Sequence, residues 1–470
     1  MAEQVKNQFK EQGGAATMDP GLFRRWLTSK MMTRFSSEEA QNRVRQKAEK
    51  SRQKAGAPHT VEYFHQADDG YSHLAAQLLA RLQQRYRIDL RCHLVGEVRG
   101  ANLPEPQLLA KLSAYDASHI APHYGLSAPG LDAATSPETL VQAESILAGL
   151  SNQSFIEHAA TISSALWRDD RSSLRELAKT HGQCKPSQTQ AAIKSGNDRR
   201  AILKHYSGAM FYYAGEWYWG VDRLYHLERR LRALGLDSTP DEPLLAPRME
   251  LVTEPLNAEN ALPAAEQLTL VMFPSLRSPY TAAAFDRTVQ LAKDLGITLQ
   301  LRPVLPMVMR GVPATMEKGK YILFDTGREA RAAGVPFGPC ADPIGEPTRR
   351  AYSLYSWAEE QGQAVEFFSA FLRCAWVDAI NTNTDKGMQT VVERAGLDWK
   401  VAKTIIDTPG WETRLEENRL AMYDLGLWGV PSYQLLDEHN NTVLALWGQD
   451  RLWLVSKAIQ QHLHRLRYTP

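Results

Sequence analysis

Leu268-Thr-Leu-Val-Met-Phe-Pro-Ser-Leu-Arg-Ser-Pro-Tyr280 is the stretch on which the reading of this chain turns. Its first half, Leu268–Phe273, is a short apolar run followed by turn residues, the pattern of a buried strand. Ser278-Pro279 then marks a helix start, with serine at the cap and proline at the first helical position. Thr281–Leu295 carries Ala284, Phe285, Val289, Leu291 and Leu295 at helical spacing, and Ile297–Leu305 reads as a second strand. Strand, helix and strand in so few residues form a βαβ unit. Ser278 then lies at the carboxyl edge of the sheet, where open α/β sheets take their ligands.

The chain has 470 residues, enough for two or three domains with cores of their own. A formal net charge of +1 gives no support to a nucleic-acid role. No secretory leader and no apolar run long enough to span a bilayer are present, so the expectation is a soluble, cytoplasmic protein without a membrane partner. The four cysteines, Cys92, Cys184, Cys340 and Cys374, form no Cys-x-x-Cys pair and no zinc-type spacing. Dithiol chemistry within one motif is excluded, and no metal site is expected.

Residues 1–57 are expected to form a charged helical extension. Phe23, Trp26, Leu27 and Met31 make a short apolar stripe, followed by the charged run Glu38–Lys54. Two readings exist: a solvated helix that packs its stripe on the body, or a basic arm for an anionic partner. Ala55-Gly56-Ala57-Pro58 ends the segment.

From Val61 an order begins that recurs later. Val61–His65 reads as a strand, Tyr71–Arg85 as a helix and Ile88–Val95 as a strand. A long helical region follows, then a hairpin (Ala209–Tyr213, Glu216–Trp219) and a helix from Gly220 to Leu234. Residues 237–264 read as a linker, with five prolines between Asp237 and Pro263. After it the order restarts at Leu268, with helices through Thr315–Leu425 and a hairpin of Pro431–Leu436 and Thr442–Leu446. Trp219-Gly-Val-Asp-Arg-Leu224 and Trp447-Gly-Gln-Asp-Arg-Leu452 stand at the same place in both halves, between hairpin and helix. Two related domains explain this best, 58–236 and 265–470.

The second half resembles the DsbA-like thioredoxin-fold family, in the branch of 2-hydroxychromene-2-carboxylate isomerases and kappa-class glutathione transferases. The residues that carry the resemblance are Ser278-Pro279-Tyr280, Leu301-Arg302-Pro303, Lys318-Gly319-Lys320-Tyr321, Gly334-Val335-Pro336-Phe337, Gly429-Val430-Pro431-Ser432 and Gly448-Gln449-Asp450-Arg451-Leu452. The fold this implies is α/β, two tandem thioredoxin-like (DsbA-type) domains, each with a helical insertion. It also implies a glutathione cofactor. Ser278 would donate to the glutathione sulfur, and Val430 would offer its main chain beside a cis Pro431. Lys318 would meet a carboxylate, and Gln449 with Asp450 would hold the glutamyl end. The family pattern has an asparagine before the lysine; none lies in Arg310–Glu317, and Arg310 is the candidate replacement.

Aligning Tyr71 with Tyr280 places Asp69 at the Ser278 position and Gly70 at that of Pro279. Ala209 falls near Pro431, and Val221 replaces Gln449. The first domain therefore reads as a structural or regulatory copy, since a carboxylate at the serine position would repel a thiolate. The resemblance implies a glutathione-dependent isomerase acting on a conjugated small molecule. A kappa-like transferase and a non-catalytic binding protein are the alternatives. Pairing of the two domains within one chain and pairing across a homodimer both stay open. Cys340 and Cys374 read as non-catalytic thiols, and the aromatics from Tyr206 to Trp219 as hairpin packing.

Overall fold

The computed structural model describes residues 19–96, 105–131, 134–253, 268–312 and 314–468. Contacts divide them into two bodies. One holds the described residues up to Gln41 and from Glu250 onward, and the other runs from Asn42 to Met249. The helices α1 (Leu22–Ser36) and α2 (Glu38–Ala55) open the described chain.

In the Asn42–Met249 body, β1 (Thr60–Gln66) is followed by α3 (Gly70–Ala76), α4 (Leu79–Arg85) and β2 (Asp89–Val95). Five helices come next: α5 (Pro106–Ile120), α6 (Pro137–Gly149), α7 (Asn152–Trp167), α8 (Arg171–His181) and α9 (Pro186–Ile202). The hairpin β3 (Met210–Tyr213) and β4 (Glu216–Trp219) and the helix α10 (Gly220–Ala233) complete it. The sheet order is β2-β1-β3-β4, with β1 parallel to β2 and antiparallel to β3. Ala214 and Gly215, both at positive φ, turn the hairpin in two residues, as a primed turn requires. Its aromatics pack within the hairpin and on β1: Tyr212 on Trp217 at 4.8 Å and Phe211 on Tyr63 of β1 at 4.7 Å between ring centres.

In the other body, β5 (Thr269–Phe273), α11 (Pro279–Leu295) and β6 (Thr298–Leu301) form the βαβ unit. The insertion comprises α12 (Met316–Ala332), α13 (Glu346–Glu360), α14 (Ala364–Trp376), α15 (Asp385–Arg394), α16 (Trp399–Ile405) and α17 (Trp411–Asp424). The hairpin β7 (Ser432–Leu436) and β8 (Thr442–Trp447) and the helix α18 (Leu452–Tyr468) follow. The sheet order is β6-β5-β7-β8, again with one parallel and two antiparallel pairs. Leu270, Val271, Met272 and Phe273 are all buried, the signature of a central strand covered on both faces. The helix α11 begins on Ser278 and ends on Gly296 at φ +63°, a left-handed cap that glycine adopts without strain.

The two sheets share more than their order. One constant offset carries the β1–β2 register onto that of β5–β6, with Thr60 opposite Asp89 and Thr269 opposite Thr298. The same offset matches the Tyr71–Asp116 bond to the Tyr280–Asp325 bond, each 2.8 Å long and spanning 45 residues. It also matches Gln66 N–H on Ser72 Oγ to Ser275 N–H on Thr281 Oγ1. In the hairpins, Gly220 N–H donates to Ala209 O as Gly448 N–H donates to Pro431 O.

Three expectations differ from the observed structure. The helix expected over Tyr71–Arg85 is broken, because Gln77 and Leu78 bond three residues back and tighten the turn after Ala76. The strand expected over Ile297–Leu305 is regular only over Thr298–Leu301, although Arg302 N–H and Val304 N–H still donate to Met272 O and Pro274 O on either side of Pro303. The stripe expected to pack on the body faces outward: Phe23, Trp26 and Leu27 are exposed, while Arg25, Met32 and Ser36 are buried. Polar anchoring explains the reversal. Arg25 donates to the carbonyls of Asp342 and Ile344, and Arg331 donates to that of Ser36.

Candidate functional site

The carboxyl end of β5, the start of α11 and the approach to β7 converge. The Val430–Pro431 bond is cis, and the Val430 carbonyl faces the first turn of α11. Ser278 Oγ accepts from Thr281 N–H at 3.1 Å, the capping bond, and donates to the Val430 carbonyl at 3.2 Å. Both capacities of the hydroxyl are therefore engaged, one with the helix and one with the strand. Pro431 O accepts from Gly448 N–H at 3.0 Å, which brings the Gly448-Gln449-Asp450 turn to the same place. Gly429 has to be glycine, because a Cβ there would collide with the Trp447 indole.

Lys318 stands in the first turn of α12, its N–H bonded to the capping Thr315 Oγ1. Its side chain is buried, with Nζ 5.2 Å from the centre of the Trp428 ring. Burial pulls its pKa down to about 8, because the ammonium loses hydration. Trp428 packs on Trp447 at 5.9 Å, and its Nε1–H is buried without a hydrogen-bond partner. An uncompensated donor beside a buried cation suits an anionic group.

Gln449 is buried, and its amide donates to Glu329 Oε2 at 3.0 Å. Asp450 opens the last helical segment, 3.7 Å from the Arg451 guanidinium. Ser278, Val430 and Pro431 thus meet directly, Lys318 joins through Trp428, and Gln449 joins through Gly448. Arg310, the candidate replacement for the missing asparagine, directs its guanidinium to the Leu305 carbonyl and the Tyr423 hydroxyl. Cys340 and Cys374 are buried, and burial pushes their thiols up to about 12 and about 11. Neither is a thiolate at neutral pH.

Sequence reasoning missed Trp428 and Glu329. Trp428 directly precedes Gly429-Val430-Pro431, so its position carried a signal. Glu329 lies 120 residues from Gln449 in an unremarkable helix, and only the fold brings it near.

The corresponding positions of the Asn42–Met249 body are differently furnished. Asp69 caps α3 through Tyr71 N–H and Ser72 N–H, and burial raises its carboxyl to about 6. The constant offset puts Leu109 in place of Lys318 and Ile120 in place of Glu329; Val221 stands for Gln449 in the matched hexamer. Gly208 and Ala209 stand for Val430 and Pro431, with no cis bond between them. A Cβ at Gly208 would lie 2.6 Å from Gln66 Cβ, so the approach to the strand is closed by packing. What persists is the Tyr–Asp bond and the Trp-Gly-x-Asp-Arg-Leu turn. What changes is the set around the cis proline.

Among the described residues no helix is long and apolar enough to cross a membrane. No curated protein matches the chain. Among solved structures, a 2-hydroxychromene-2-carboxylate isomerase is similar at 20% identity and TM-score 0.36, covering 42% of this chain and 97% of its own. A probable DsbA oxidoreductase from Streptomyces coelicolor is similar at 17% identity and TM-score 0.35, covering 43% of this chain and 92% of its own. A putative protein disulfide isomerase from Nitrosomonas europaea is similar at 15% identity and TM-score 0.34, covering 42% of this chain and 100% of its own. Residues 269–460 match the family model of the DSBA-like thioredoxin domain, so the C-terminal half of this chain contains a domain of that kind.

Proposed function

We propose that the groove between Ser278 and Val430-Pro431 binds glutathione, and that the protein is a glutathione-dependent isomerase of the 2-hydroxychromene-2-carboxylate type. The observation that carries the reading is the serine hydroxyl at a helix start, 3.2 Å from the carbonyl that precedes a cis proline, with no cysteine in the motif. Glutathione would supply the thiolate that adds to a conjugated carbon of the substrate and leaves after rotation about the former double bond.

The residues suit that ligand. Val430 is half-buried and presents its main chain at the groove, where a peptide N–H can take the carbonyl that Ser278 occupies. The freed hydroxyl then turns to the sulfur, while the Thr281 N–H stays on its oxygen and strengthens the donor. The positive end of α11 favours the thiolate. Lys318 and the Trp428 Nε1–H together suit a carboxylate. Gln449, tethered by Glu329, turns its remaining amide capacity toward the glutamyl end. Asp450 is the weakest member of the set, since the equivalent Asp222 persists where the rest is lost.

The Asn42–Met249 body is, in this reading, a second copy of the fold without the site. Its retained Tyr71–Asp116 bond marks framework, and its Leu109, Ile120, Ala209 and Val221 mark lost binding.

Titration of the protein with glutathione at neutral pH tests the proposal through the ultraviolet absorbance of the thiolate. The absorbance is expected to appear with the native chain and to vanish in Ser278→Ala. Absence of binding at millimolar glutathione would sink it. Consumption of glutathione in step with product would make the reaction a transfer instead.

A further inference from the structure

The outward face of α1 is unusual for a helix that docks on a protein body. Leu22, Phe23, Trp26 and Leu27 are 73%, 74%, 55% and 43% exposed, and the Phe23 and Trp26 rings stack at 6.1 Å. These four occupy the first two turns of one face. Lys30 and Arg34 continue that face over the later turns, and Arg24 flanks it; all three are exposed. The helix contains no acidic residue. The inner face carries the buried Met32 and is held by directional bonds: Arg25 on Asp342 O at 3.0 Å, Ser29 Oγ receiving Asp342 N–H at 2.9 Å, and Thr33 Oγ1 receiving Cys340 N–H at 3.0 Å. The apolar residues are thus fixed facing outward.

We propose that this face docks on an anionic lipid surface. Phe23 and Trp26 would enter the headgroup boundary, and Lys30, Arg34 and Arg24 would meet lipid phosphates. Aromatic and leucine side chains on one part of a face, with basic ones on the rest, is the composition of helices that lie in a bilayer interface. Lack of a spanning helix among the described residues is no obstacle, because α1 lies on the surface. A second copy of the chain is the poorer occupant. A self-complementary contact would gather the three cations of each copy into one interface, with no carboxylate on the helix to offset them. The inference does not depend on the glutathione reading.

The test is co-sedimentation of the full chain with vesicles of phosphatidylcholine alone and of phosphatidylcholine mixed with phosphatidylserine. Binding is expected only to the mixed vesicles and is expected to fall as salt rises. Phe23→Ser with Trp26→Ser should weaken it by about tenfold or more, and Lys30→Ala or Arg34→Ala by about fivefold each. Circular dichroism of these variants should match the parent, since the side chains are exposed. The inference is overturned if the full chain stays in the supernatant, if neutral vesicles bind it equally, or if the variants bind like the parent. Two further outcomes also overturn it. One is a dimer that the double aromatic variant converts to monomer. The other is binding seen only in a chain that starts at Asp19, which would put the first eighteen residues on this face.

Discussion

Replacing Lys318 by methionine separates a framework lysine from a binding one. The side chain is buried, and burial moves its pKa from 10.5 to about 8. A displacement of that size corresponds to about 3 kcal/mol of instability while the ammonium stays charged. The sign follows from proton counts. Below about pH 8 both states are protonated and the folded state bears the full cost. Between there and 10.5 the unfolded chain holds a proton that the folded chain has released, so stability rises with pH. Contact with Trp428 offsets about 1 kcal/mol. Lys318→Met should therefore stabilise its body near neutral pH by about 2 kcal/mol, with each kcal/mol raising the melting midpoint by about 2–4 °C. The gain should fade as pH rises from about 8 toward 10.5. Glutathione affinity should fall by about 10–100-fold, the worth of a charge-assisted bond. Thermal melts across this pH range, with and without glutathione, read both effects. A variant that is less stable at neutral pH would refute the burial argument, and unchanged glutathione affinity would remove Lys318 from the site.

Ser278→Ala should cost about 1 kcal/mol through the lost cap, and chemical denaturation should detect a loss of that order alongside the missing thiolate signal. Glu329→Ala should orphan the buried Gln449 amide at about 1–3 kcal/mol and raise KM for glutathione more than it lowers kcat; rescue of KM by Glu329→Gln is expected. In the Asn42–Met249 body, burial raises the Glu62 carboxyl, but Arg199 and His93 outweigh it and hold the group at about 2. Stability from this depressed carboxyl is present above 4.5 and is lost as pH falls toward about 2, so Glu62→Gln should flatten the acid-unfolding curve over that window.

The βαβ unit was readable because its signals are local: an apolar run, Ser278, Pro279 and the spacing of Phe285 and Leu291 all act within a few residues. The serine–proline encounter was readable only through the resemblance, since Ser278 and Val430 are 152 residues apart. The Glu329–Gln449 bond had no local signal at all. The stripe in α1 misled for a definite reason. Periodicity assumes that apolar side chains face inward, whereas here Arg25, Ser29 and Thr33 take the inner face through bonds to the chain around 340–344.

Those bonds also govern the order in which the protein can be completed. The helix α1 leaves the ribosome long before its partners, since Arg25 and Asp342 are 317 residues apart and Ser36 and Arg331 are 295 apart. During synthesis the Asn42–Met249 body emerges in full before the surface that receives α1 exists. The apolar outer face and the unpaired inner face of α1 are then both open to solvent. Closing so long a loop adds little entropy per added residue, but it delays the contact and leaves an adhesive segment waiting. A chain begun at residue 265 would never receive this helix, and Arg331, Asp342 and the Gly327 notch into which Ser36 fits would lose their contacts with it.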